Sequence, residues 1–86
     1  MNINELIAIV KNKLEKEIII QNLKIEDKSF LHKNHKGHQE GRFHLKINIK
    51  SAELNKLSKI LSTKKIYNVL DLELKEHIHS IQILLN

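Results

Sequence analysis

The sequence predicts an α+β fold: a single domain over residues 1–86 in the order α-β-β-α-α-β, with a three-stranded mixed sheet and helices on one face. Three observations predict it. The first stretch repeats its apolar residues at helical spacing. Residues 43–50 alternate strictly between apolar and polar. Between that strand and the final apolar run lie two further helical patterns, and a connection of that size favours a right-handed crossover to a parallel neighbour.

Taken in order, Asn2 followed three residues later by Glu5 forms a capping box. Leu6, Ile7, Val10 and Leu14 share the helix face behind it, with Lys11, Glu15 and Lys16 outside, and the helix should end near Glu17. Ile18-Ile19-Ile20 is a β-branched run that continues through Leu23 and Ile25 in alternation with Lys24 and Glu26. It predicts a strand, with an interruption open around Gln21-Asn22. Residues 27–41 lose all periodicity and form one long loop. Beyond about 12 residues such loops in compact domains are usually functional or disordered, and this one has few apolar anchors beyond Phe30 and Leu31. Phe43, Leu45, Ile47 and Ile49 then alternate with polar neighbours in the clearest strand of the chain. Ser51 can cap a short helix carrying Leu54, Leu57, Ile60 and Leu61. Ser62 or Thr63 can cap a second, with Ile66, Tyr67, Leu70 and Leu74 inward. The last strand runs from about Ile78 to Leu85.

Composition narrows the function classes. Without cysteine there is neither a disulfide nor a thiolate metal site. Hydrophobic residues make up 41% of the chain and aromatics only 3%, so Ile and Leu must fill the core. No apolar run approaches the roughly 18 residues that span a bilayer. The start, Met1-Asn2-Ile3-Asn4-Glu5, lacks the basic and apolar regions of a signal peptide. A soluble cytoplasmic protein is expected, monomeric on its own. The net charge of +5 would suit an acidic partner or weak nucleic-acid binding, but the lysines form no block, which favours a solvated surface.

Six histidines in 86 residues are the unusual feature. His32, His35, His38 and His44 sit in or beside the long loop, and His77 and His79 open the last strand. Neutral imidazole is a good ligand for borderline metals. In a loop, spacing alone fixes no geometry, so a solvated lysine-rich loop stays open as the other reading. His79 shares strand parity with Ile81, Ile83 and Leu85, so it should point toward the packed side or the edge, as a hydrogen-bonded core residue or as a ligand. His77 reads as the polar end of a helix, and His44, alternating with Phe43 and Leu45, should face solvent. Catalysis has little support. Asp27, Ser29 and His32 have no nucleophile elbow around them. Gly37 and Gly41 match neither a phosphate loop nor the GxxG clamp of KH domains, and no aromatic pair is placed for base stacking.

Three stretches, in order and spacing, resemble the BolA family. Asp27-x-Ser29-x-x-His32-x-x-His35 is similar to that family's loop pattern. His44-Leu45-Lys46-Ile47-Asn48-Ile49-Lys50-Ser51 resembles its His-Phe-x-Val-x-Val-Val-Ser strand. His79-Ser80-Ile81 stands where the family has His-Ala-Leu, and Tyr67 matches the end of its second helix motif. The resemblance covers residues 3–85 in outline. Two departures stand out: Leu54-Asn55-Lys56 replaces Phe-x-Gly, and Ser62-Thr63-Lys64 replaces Arg-His-Arg, so nothing assigned to that central histidine carries over. The resemblance implies an α-β-β-α-α-β fold similar to class II KH domains and a non-enzymatic role. It also implies a monothiol glutaredoxin partner and a 2Fe-2S cluster shared with that partner and glutathione. His79 and His32 become the leading ligands, with His35 as substitute. Some bacterial members are described as DNA-binding transcriptional regulators, which gives an alternative. A KH-like nucleic-acid-binding module is a third, disfavoured by the missing GxxG.

Overall fold

A computed structural model of the chain describes residues 1–29 and 42–86. The expectations placed on residues 30–41, His32, His35 and His38 among them, lie outside the described residues. The elements are α1 (Ile3–Glu17), β1 (Asn22–Asp27), β2 (Phe43–Lys50), α2 (Ala52–Asn55), α3 (Lys59–Val69), α4 (Asp71–Glu76) and β3 (Ile78–Leu85). The sheet order is β1-β2-β3, with β1 antiparallel and β3 parallel to β2. The expected mixed sheet is therefore present, and the crossover between its parallel strands carries three helices rather than two.

Local chemistry sets most of the boundaries. Asn2 Oδ1 accepts from the Glu5 amide at 2.8 Å and Asn2 Nδ2 donates to Glu5 Oε1 at 2.9 Å, closing the capping box. Leu6, Val10 and Leu14 are then wholly buried. The Ile18–20 run departs from expectation and is not a strand. Ile18 is the C-cap of α1 and sinks into the core, Ile19 is 70% exposed, and the Ile19 carbonyl accepts from Ser51 Oγ at 2.7 Å. With that carbonyl taken by a side chain, ladder pairing begins only after Gln21, whose amide donates to the Lys50 carbonyl.

Ser51 caps α2 as expected, accepting from the Leu54 amide at 3.1 Å. That helix is one turn, however, and α3 starts afresh with Ser58 as its cap. The restart changes the helical phase. Ser62 and Ile66 face inward, one turn apart, while Leu57, Ile60, Leu61 and Tyr67, expected inside, are exposed. Ser62 is no cap either: it is buried, and its hydroxyl donates to the Leu54 carbonyl at 2.8 Å, tying α3 to α2. Leu70 breaks the helix in two, serving as C-cap of α3 and N-cap of α4 while staying fully buried.

Leu45, Ile47 and Ile49 of β2 form the floor of the core. α1 covers it with Leu6, Val10 and Leu14, and Leu54, Ile66, Leu70 and Ile78 complete it. Lys24, Glu26, Lys46, Asn48 and Gln82 have the opposite parity and lie on the sheet face turned away from that core. His44 lies on that second face as well.

Candidate metal centre

Four residues at one end of the sheet form the frame of the site. Asp27 closes β1, and its Oδ1 accepts from the Ser29 amide at 2.9 Å, an Asx turn. Ser29 Oγ in turn accepts from the His44 amide at 3.0 Å, and the Lys28 amide donates to the His44 carbonyl at 2.7 Å. The Asp-x-Ser pair thus anchors the backbone of His44 from both sides. Across the sheet His44 pairs with Ser80, and its ring Nδ1 lies 2.6 Å from Ser80 Oγ.

His79 owes its position to an irregularity in this pairing. Leu45 opposes Ile81 and His44 opposes Ser80, but Phe43 opposes Ile78. His79 is the extra residue of a β-bulge, and a bulge re-aims the side chains on either side of it. Continued parity from Ile81, Ile83 and Leu85 would turn His79 toward the core. Instead Ile78 takes that place, at 1% exposed, and His79 is exposed. The core-histidine reading of His79 is therefore corrected. The His79 ring lies against that of His44, with centroids 4.8 Å apart and planes inclined by 31°.

His44 also departs from expectation. It does alternate away from the core, but it is only 7% exposed, with Ser80 Oγ at its ring nitrogen and the His79 ring against its own. His77 caps the C-terminus of α4, its amide donating to the Glu73 carbonyl and its carbonyl accepting from the Phe43 amide, as a helix-end residue should. The structure therefore brings together His44 and His79, of which only His79 was a candidate ligand, and places His77 outside the pair. His32 and His35 lie outside the described residues.

Lys28, His44, Lys46, Ser80 and Gln82 line a recess of about 360 Å³ on the His44 side of the pair, so its polar lining carries two lysines. Among the described residues no three histidines or carboxylates are grouped to hold a metal ion. One exposed imidazole backed by a second is a partial donor set, and a metal held there would need ligands from elsewhere. Sequence reasoning missed the role of His44 and Ser80. Their juxtaposition depends on cross-strand register and a bulge, neither of which leaves a local signal.

Comparison with known proteins adds the following. A family model described as BolA-like protein matches residues 14–86. A relative from Haemophilus influenzae named DNA-binding transcriptional regulator BolA is 32% identical over 75 residues, covering 87% of this chain and 70% of the relative. Two solved structures from Arabidopsis thaliana are similar. The BolA domain of SufE1 is 28% identical with a TM-score of 0.78, covering 100% of this chain and 93% of that one. BolA1 is 26% identical with a TM-score of 0.77, covering 92% and 87%. The solution structure of BolA1 from Mus musculus, 19% identical over 90% of this chain and 60% of that one, shares the fold with a TM-score of 0.72.

Proposed function

Because this chain belongs to the BolA-like family, we propose that it is a cytoplasmic, non-enzymatic iron–sulfur assembly or trafficking factor that pairs with a monothiol glutaredoxin. Its imidazoles complete the ligand set of a 2Fe-2S cluster whose thiolates come from the glutaredoxin and glutathione. His79 is the first ligand, and His32 or His35 the second.

The observation that carries this reading is His79 itself: an exposed imidazole set out of the ladder by a bulge and backed by a buried ring. The donor chemistry agrees, since a chain without cysteine has no thiolate to offer a cluster, and imidazole nitrogen is the iron ligand that its six histidines supply. Mixed imidazole–thiolate ligation gives a cluster a higher potential than thiolates alone. The bulge presents His79 outward, and Ser80 ties the strand behind it to His44.

The name of the Haemophilus relative favours a second reading, a DNA-binding regulator. The net charge of +5 and the exposed Lys59, Lys64 and Tyr67 on α3 agree with phosphate contacts. One experiment separates the two. The chain is purified together with a monothiol glutaredoxin and glutathione under reducing conditions. Cluster absorption that requires all three components supports the first reading. Its absence, with a DNA footprint that keeps its sequence preference at physiological salt, supports the second.

A further inference from the structure

We propose that His44 is a positioning residue for His79: a buried, immobilised ring against which the exposed imidazole is held in one orientation. The use of that orientation for a cluster rests on the function proposed above. The clamp itself does not.

A residue at a bulge has lost its ladder partner, and an exposed histidine there would ordinarily sample several side-chain rotamers. A ligand in that state would present its nitrogen in many directions, whereas productive ligation needs the donor held to about 0.5 Å and 10–20°. The structure supplies the restraint. Among the described residues, the His44 amide is held by Ser29 Oγ, its carbonyl by the Lys28 amide, and its ring Nδ1 by Ser80 Oγ. It is 7% exposed, so its ring has little room to turn. The ring of His79, 4.8 Å away, lies within the usual range for paired aromatic rings.

The arrangement closes on itself. Ser80 directly follows His79, so the hydrogen bond between its hydroxyl and the His44 ring also fixes the chain on which the His79 ring is carried. This gives the Asp27-x-Ser29 pair a structural purpose without asking either residue to touch a metal. Asp27 orients Ser29, Ser29 holds His44, and His44 and Ser80 hold His79. Support of this kind, one shell behind a ligand, commonly fixes the direction of an imidazole.

The test uses the full chain without metal and reads the His79 side chain by NMR, from its χ1 scalar couplings and the nuclear Overhauser contact between the two rings. Wild type should show one χ1 rotamer and a ring–ring contact. His44→Phe keeps a flat ring and should keep the single rotamer, whereas His44→Ala should give averaged couplings. Averaged couplings in the wild type, or a single rotamer surviving in His44→Ala, would overturn the proposal. If His44→Ala fails to fold, averaged couplings in the wild type still overturn the clamp. In the glutaredoxin complex, pulsed EPR of the reduced cluster should show a distinct histidine-nitrogen coupling in wild type and His44→Phe, and a broadened one in His44→Ala. If His79→Ala leaves the cluster spectrum unchanged, the ligand assignment fails, while the couplings of the metal-free chain still decide the clamp.

Discussion

Among single residues, Glu73 departs furthest from the rule that charges stay in water. It is 4% exposed in α4, and its Oε2 accepts from Lys13 Nζ at 2.6 Å, sixty positions away in the sequence. Among the described residues Oε1 is buried with no hydrogen-bond partner. A carboxylate so placed depends on its one cation, and removing the partner of a fully buried pair typically costs about 3–5 kcal/mol. Lys13 still reaches solvent, which lowers the expected cost of Lys13→Met to about 2 kcal/mol. Urea unfolding should report it as a lower midpoint at unchanged slope. Ser51 contributes differently: one buried hydroxyl caps α2 and also binds the Ile19 carbonyl, so a single side chain starts one element and holds the link between α1 and β1.

At the scale of elements, the features legible in the sequence are those written in neighbouring residues. Asn2 and Glu5 announce the start of α1, and the 3.6-residue spacing of Leu6, Val10 and Leu14 announces its buried face. Strict alternation announces β2, and Ile78–Leu85 is bounded as expected. What depends on distant pairing is not legible. Ile18–20 reads locally as a strand, but Ile18 is held as the C-cap of α1 and the Ile19 carbonyl is bound by the hydroxyl of Ser51, 32 positions on. Ile60 and Tyr67 fit an inward stripe until Ser58 resets the phase of α3. His79 has inward parity until the pairing with β2 inserts a bulge. Both local motifs and a remote register make up the candidate site, so His79 could be singled out while its orientation and its supporting His44 could not.

The same crossover carries a pH-dependent pair. Lys65 of α3 donates to Glu53 of α2 at 2.7 Å, and this hydrogen bond, the largest influence, holds the Glu53 carboxyl below its ordinary value against the opposing effect of desolvation. A carboxyl depressed in the folded state stabilises the fold above its unfolded pKa, and the contribution is lost as pH falls through the folded value. An NMR titration should place the Glu53 midpoint below the ordinary glutamate value, and Lys65→Met should move it back up.

For the whole molecule, the consequence of the topology is an asymmetric sheet. One face is buried under the helices, and the other presents Lys24, Glu26, Lys46, Asn48 and Gln82, with His44 and His79 gathered at the end where β2 and β3 start. Among the described residues no helix is long and apolar enough to cross a membrane. On this scaffold the exposed imidazole can be changed without disturbing the core, since Ile78 rather than His79 fills the inward position. The account therefore predicts that the fold and the cluster ligation separate cleanly at this one side chain. The most direct measurement is the absorption and EPR spectrum of the cluster formed with a monothiol glutaredoxin and glutathione, compared for wild type, His79→Ala and His77→Ala. His79→Ala should remain folded and lose the mixed imidazole–thiolate signature, while His77→Ala should keep it. A His79→Ala spectrum identical to wild type, or loss of the fold on that substitution, would contradict the account.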